Sequence, residues 1–526
     1  MQERPAIPTF LLVTILLVLL FLAFEPRWQT NDDVAMSMIA HGYGLAAYGS
    51  PQLVFSNILW GYMVRTLPTI HGVLGYSLAT MVVLLVYGWA ILYFLVRLGT
   101  GYLISLLVIT LLTPLPALFP QFTINAGLLT VAAVLGWTVY ARCGERRILL
   151  AACLLAFTGY LIRDKEFFLV LGIALPLFPW PILRKQREMQ IAFLLLSIAI
   201  ASASVFDQWS YHGSEWTRFL DMRPSLAPLI DFHAGEHLKQ HPEILARQGY
   251  SANDIDLINE WFFVDPKIAN PESLNTMLAQ LGSMSLLGGG GQSGLIAIKE
   301  LFVPFLLSLA LSAFFLLVLM PDRRVALAWA LCLAALFAMG VMGRPGALRV
   351  YIPLASLLVL LPFVGERKDI ANTGKWIVLL LFVASIANAY ILIPQALISK
   401  RSMQEIRHEI HAFPAGPTIN WGENFPYELV FPVLANDLDS RHIKLYGLDA
   451  FTLAPFSVAS SEEKAGRGML QRFQSAAGIS IIVKQKQLDL LRVYCREHLQ
   501  GQMHGMTTYI TTGIAIQQLR CERDYQ

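Results

Sequence analysis

The sequence predicts a polytopic α-helical membrane protein followed by a small soluble α/β domain. Three observations carry that reading. Of the 526 residues, 56% are hydrophobic and only 14% charged, far from the soluble norm. Apolar stretches long enough for a bilayer core of about 30 Å recur roughly eleven times. After Ile393-Pro394 the composition turns to a soluble mixture. The net charge of +3 is too small over this length to suggest nucleic acid, so none is expected as a partner, and no basic run or zinc-type cysteine cluster occurs.

In chain order the apolar stretches are approximately 8–24, 72–96, 102–119, 122–140, 148–162, 167–183, 190–206, 300–320, 325–342, 350–364 and 375–394. The first ends Phe-Leu-Ala-Phe-Glu-Pro without a small-residue cleavage signature, so it is expected to be a retained anchor. Short loops between spans keep Lys and Arg on the cytoplasmic side. With the N-terminus inside, the inner loops carry Arg4, Arg97, Arg142 with Arg146 and Arg147, Arg184 with Lys185 and Arg187, Arg323 with Arg324, and Arg367 with Lys368. The outer face then holds a first loop at 25–71, a large loop at 207–299 and the tail. The core is taken as 1–394 and the soluble domain as 395–526.

Charges that defy this bias are the informative ones, because charge at a membrane boundary is costly unless paired or functional. Three groups share the outer leaflet: Asp32-Asp33 just past the first span, Arg163-Asp164-Lys165-Glu166 in a short turn, and Gly343-Arg344-Pro345-Gly346-Ala-Leu-Arg349-Val-Tyr351. A carboxylate there can take the proton from an attacking hydroxyl. Guanidinium groups can grip a lipid-linked phosphate in two places and stabilise the charge left on it. A polyprenyl tail would need only a lateral entrance between helices.

On these residues the chain resembles the GT-C superfamily of integral-membrane glycosyltransferases. The features that match are the pair in Thr30-Asn31-Asp32-Asp33, the arginine-bearing outer turns, and the soluble domain after the last span. The run Gly49-Ser-Pro-Gln-Leu-Val-Phe-Ser-Asn57 also looks like the first loop of bacterial members. The resemblance implies a bacterial inner-membrane enzyme with a periplasmic C-terminal domain, transferring a sugar from a polyprenyl-phosphate donor to a glycan, lipid or protein hydroxyl, with inversion. By position Asp32 matches the catalytic acid and Asp33 its neighbour. The family pattern often reads Asp-Glu where this chain has Asp-Asp, which leaves the choice between the two open. Arg163, Lys165, Arg344, Arg349 and Tyr351 are the expected lipid-phosphate and substrate-binding residues, with Arg65 in reserve.

Plainer readings stand beside these. Thr30-x-x-Asp33 is also a capping box for a short helix, and this explains Asp33 better than Asp32. Arg163 could pair with Asp164 or Glu166, and Arg344 and Arg349 could snorkel to headgroups. His41 and His71 lie near the same face, where lone histidines are more often solvated than catalytic. These residues assign no cofactor. A divalent cation stays an alternative, although two adjacent aspartates alone offer too few oxygen ligands for a metal site.

In the large loop, Trp216, Arg218 and Arg223 could cover a substrate, with Gly288-Gly-Gly-Gly-Gln-Ser-Gly as a flexible hinge, or the loop is merely exposed. In the tail, strands are expected at Ser480-Ile-Ile-Val-Lys and Thr511-Thr-Gly-Ile-Ala-Ile, and a helix from Gln485 to His498. Of five cysteines, Cys495 and Cys521 fall in this domain, where an oxidising compartment would permit a disulfide. The absence of Asn-x-Ser/Thr favours a bacterial periplasm over an ER lumen. The rival classes are a transporter or flippase, which would place charge and broken helices near the bilayer midplane, and a non-enzymatic assembly protein.

Overall fold

The computed structural model describes residues 6–232, 234–282, 290–344, 346–365, 370–414, 416–435, 439–511 and 514–523. Its helical part runs α1 (Ala6–Ala23), α2 (Asn31–His41), α3 (Ile58–Thr66), α4 (Gly75–Leu98), α5 (Tyr102–Leu112), α6 (Phe122–Cys143), α7 (Arg146–Ile162), α8 (Asp164–Ala174), α9 (Arg187–Trp209), α10 (Ala252–Asn259), α11 (Gly290–Lys299), α12 (Pro304–Leu319), α13 (Arg323–Val341), α14 (Leu348–Leu360) and α15 (Ile370–Glu409). The tail adds β1 (Thr418–Trp421), α16 (Tyr427–Val430), β2 (Leu445–Leu448), β3 (Ile479–Ile482), α17 (Gln485–Leu499), β4 (Gly501–Thr511) and β5 (Ile514–Arg523).

Every expected apolar stretch contains helix, but length separates them. Among the described residues, six helices are long and apolar enough to cross a membrane: α1, α4, α6, α9, α13 and residues Thr373–Arg407 of α15. The count becomes seven if Gly290–Phe302 and Pro304–Leu319, bent by 85° at their junction, form one broken span. Of the roughly eleven expected stretches, others form shorter apolar helices, Tyr102–Leu112 and Leu348–Phe363 among them. Pro114 comes one residue after α5, next to the Thr113 C-cap position, where a pyrrolidine ring suits a new first turn better than continuation. Pro176 likewise turns the end of α8 into a single 3₁₀ turn, so the stretch expected at 167–183 is cut short.

Helix α6 is the hub. Its residues are buried from Phe122 to Tyr140, and it is flanked by α4, α7, α8 and α14. Gly127 permits the approach of α14: a Cβ there would lie 2.4 Å from Pro353 Cβ. By contrast α1 and α9 leave large apolar side chains such as Leu22, Leu194 and Val205 exposed, as a lipid-facing surface requires. Basic loops meet at one end of the bundle, where Arg142 donates to the carbonyls of Val364 (2.6 Å) and Gly365 (2.8 Å), Arg146 pairs with Glu188 at 2.5 Å, and Arg97 pairs with Glu145. Arg4, Arg367 and Lys368 lie outside the described residues.

The first loop, the large loop and the tail gather at the other end. Helix α15 continues through Pro394 to Glu409, so the boundary expected at 394 falls inside it. At about 1.5 Å per residue, the 40 residues of α15 reach beyond the bilayer, and Arg407 pairs with Glu25 at 2.5 Å. The tail forms a mixed sheet of order β2-β1-β3-β5-β4, with β1 parallel to β2 and β3 and with β5 antiparallel to β3 and β4. The expected strand at 480–484 and the helix at 485–498 are present as β3 and α17. Ile514–Ile516 of the second expected strand open β5, while Thr512 and Gly513 lie outside the described residues. Cys495 on α17 and Cys521 on β5 form a disulfide with Cα atoms 5.9 Å apart.

Segment 207–299 is not an open loop. It folds into short helices docked on the α/β domain: Tyr494 Oη donates to Asp265 at 2.7 Å, Lys486 pairs with Glu260 at 2.6 Å, and His498 Nε2 meets Asp254 at 2.8 Å. Trp216, expected as a mobile cover, is buried among Tyr211, Phe219 and Phe456. Of the expected glycine hinge, 288–289 lie outside the described residues, and Gly290 to Gly294 are the first turns of α11. The glycine-rich stretch is helical there because close packing favours the missing side chain: a Cβ on Gly294 would lie 2.6 Å from the Phe337 ring.

Candidate active site at the α/β-domain end

The site begins with the first turn of α2. Adjacent helical residues point about 100° apart, so Asp32 and Asp33 separate in environment despite adjacency in sequence. Thr30 occupies the N-cap position, but its side chain makes no capping hydrogen bond, so the expected capping box is not formed. Asp33 instead turns inward. It is fully buried, and its Oδ1 accepts from Tyr76 Oη and from the backbone N–H of Phe122, each at 3.0 Å. Burial, reinforced by the neighbouring Asp32 charge, raises its pKa well above the ordinary carboxylate range, while the Tyr76 and Phe122 bonds and Arg349 oppose the rise. Asp33 therefore ties α2 to α4 and to the start of α6.

Asp32 points to the open side. Its Oδ2 receives a hydrogen bond from Arg349 Nη1 at 2.5 Å, and the two side chains are 25% and 34% exposed. Arg349 enters from the first turn of α14. Arg163, the residue between α7 and α8, donates to the Phe55 carbonyl at 2.9 Å and lies over the Phe55 and Phe122 rings. Burial lowers its pKa, and the charges of Asp164, Arg349, Asp32 and Glu166 all act on it. One carboxylate and two guanidinium groups thus converge in a half-buried setting.

The other expected residues fall elsewhere. Lys165 is exposed, and its backbone N–H donates to Asp164 Oδ1 at 2.7 Å. Tyr351 is buried with its hydroxyl donated to the Ala297 carbonyl at 2.7 Å, which makes it a tether between α14 and α11. Arg344 lies over the Phe232 ring, and burial lowers its pKa. Arg65 is exposed, with Gly49 and His41 for neighbours. His41 Nε2 accepts from the Tyr76 backbone N–H at 3.2 Å, and burial brings its pKa down to about 4, so it serves as a neutral acceptor.

Two residues escaped the sequence reading. Arg27 sits over the Phe119 ring, and Glu428 on α16 acts on it electrostatically. Burial lowers the pKa of Arg27 and raises that of Glu428, which also feels Asp32. Arg27 carried a readable signal, since it is a basic residue on the face expected to lack them. Glu428 carried none.

A cleft of about 1620 Å³ opens laterally between α3, α4 and α7. Its wall is mostly apolar, including Val86, Ala90 and Leu155, and it runs from Trp60 and Met63 near the site end to Arg97 at the basic end. Among the described residues, the His, Cys, Asp and Glu group close enough to share a metal ion is Asp254, Glu497 and His498, at the dock on α17. At Asp32 a cation would have to displace the Arg349 guanidinium.

No protein-family model matches the chain, and no curated protein matches it. Among solved structures it is similar to ArnT from Cupriavidus metallidurans bound to undecaprenyl phosphate, at 13% sequence identity over 97% of this chain and 97% of that one, with a TM-score of 0.38.

Proposed function

We propose that this protein transfers a sugar from a polyprenyl-phosphate donor to an acceptor hydroxyl at the outer face of a bacterial cytoplasmic membrane, with inversion, in cell-envelope glycan modification. The observation that carries the reading is the Asp32–Arg349 pair with Arg163 beside it. The lateral apolar cleft, whose wall includes none of these three residues, starts at Trp60 and Met63 on the neighbouring α3 and gives room for a lipid chain.

Asp32 accepts the acceptor's hydroxyl proton as the oxygen attacks the anomeric carbon. The bond from that carbon to the phosphate oxygen breaks, and the electron pair leaves with polyprenyl phosphate. Arg349 spends one N–H on Asp32 and keeps others for the departing phosphate, which Arg163 reaches from the opposite turn. Asp33 holds Asp32 in place and takes no proton from substrate.

The test is turnover of synthetic polyprenyl-phosphate sugars by purified protein in lipid, with Asp32→Asn and Asp33→Asn beside wild type. Transfer abolished in Asp32→Asn alone is expected, and full activity in both variants overturns the mechanism. A second reading, a lipid flippase, draws on one observation: the cleft reaches to Arg97 at the far end of α4. It predicts lipid translocation across vesicles without sugar transfer.

A further inference from the structure

The α/β domain contributes directly to the neighbourhood of Asp32. Helix α16 lies against α2, the Val433 backbone N–H donates to the Pro26 carbonyl at 3.3 Å, and the Tyr43 and Phe431 rings meet with centroids 5.6 Å apart. This docking sets Glu428 opposite Arg27. Their charges interact, but no ion pair joins them among the described residues. Arg27 Nε, Gln29 Oε1 and Thr30 Oγ are all buried without a hydrogen-bond partner, three unmatched polar atoms within the four residues that lead to the helix carrying Asp32. Buried polar groups are normally satisfied, so a run of exceptions needs a reason. A ligand that resettles this segment supplies one.

The chemistry narrows that ligand. Arginine offers several donors in a planar fork, and a carboxylate offers only acceptors. A vicinal diol, which both donates and accepts, satisfies the two together, whereas an anion attracted to Arg27 is repelled by Glu428. We infer that Arg27 and Glu428, with the Gln29-Thr30 segment, form an acceptor subsite for sugar hydroxyls beside Asp32. The inference rests on the proposed transfer for the word acceptor. The α/β domain then completes the site and supplies its specificity.

The experiment uses the full chain in lipid nanodiscs. Methyl glycosides of glucose, galactose, mannose and N-acetylglucosamine are the probes, followed by saturation-transfer NMR, with binding of undecaprenyl phosphate measured on the same samples. At least one glycoside is expected to bind. Glu428→Gln and Arg27→Gln are each expected to weaken it about tenfold, the worth of one hydrogen bond to a charged group, while leaving undecaprenyl phosphate affinity unchanged. Arg349→Gln is expected to do the reverse. Glu428→Gln keeps the side chain's size and removes a buried charge, so a wild-type melting temperature checks its fold. The inference is overturned if wild type binds no glycoside, if Glu428→Gln binds it unchanged, or if inorganic phosphate occupies the subsite instead. If wild type fails to bind undecaprenyl phosphate but Glu428-dependent glycoside binding persists, the transfer reading falls and the sugar subsite stands.

Discussion

Asparagine at position 33 is expected to leave sugar transfer within about tenfold of wild type, while Asp32→Asn lowers it by about 10²- to 10⁴-fold, the usual worth of a general base. The asymmetry follows from what each carboxylate does. Asp33 is buried, and its Oδ1 accepts from Tyr76 Oη and Phe122 N, each at 3.0 Å. An asparagine Oδ1 can accept both bonds, so Asp33→Asn keeps the scaffold. Asp33→Leu removes both acceptances and strands two buried donors, each at about 1–3 kcal/mol, for a loss of roughly 2–6 kcal/mol. The pH dependence has a definite sign. Because the folded-state pKa of Asp33 is raised, its stabilising contribution is fully present below the unfolded carboxylate value of about 3.9 and is lost as pH rises through the folded value. Asp33→Asn is therefore expected to flatten that decline. The assay pairs thermal denaturation across pH with transfer from a synthetic polyprenyl-phosphate sugar. An Asp33→Asn protein that melts like wild type but is inactive, beside an active Asp32→Asn, would refute the reasoning and reverse the roles.

Arg349→Lys keeps the charge but loses the planar fork, and it is expected to weaken polyprenyl-phosphate binding about tenfold, read by competition in nanodiscs. Removing the disulfide by Cys495→Ser with Cys521→Ser frees a loop of 26 residues, worth about 3.5 kcal/mol of chain entropy, and a lowered unfolding midpoint in denaturant checks it. Burial raises the pKa of Asp449 to about 6, so its contribution to stability falls as pH rises from about 4 through 6, and Asp449→Asn should remove that part of the pH profile of melting. Ala151→Trp fills the wall of the lateral cleft and is expected to depress transfer from long polyprenyl donors while sparing two-isoprene analogues; equal loss with both sets of donors rejects the cleft as the chain's path.

Elements whose signal is local were legible. The start of α4 and the body of α17 followed from apolar length and periodicity, while cysteine placement permitted the Cys495–Cys521 pairing that the structure forms. Elements decided by packing were not. Pro394 reads as a stop, yet α15 runs through it, since a proline removes one helical bond and neighbours can hold the rest. Trp216 reads as an exposed aromatic because its partner Phe456 lies far along the chain. Gly290 to Gly294 read as a hinge, while the close approach of Phe337 makes them helix.

The sequence by itself determined that apolar spans must bury their backbone as helices, and it singled out the charges that break the loop bias as candidates for a site, because both follow from the cost of polar groups in a bilayer. Only the tertiary structure decided which of those charges meet. Asp32 finds Arg349 across 317 positions, Asp33 is turned by the helical rotation onto Tyr76 and the α6 N-terminus, and Glu428 arrives on a separate domain. Nothing local encodes such pairings, since each depends on how distant elements pack.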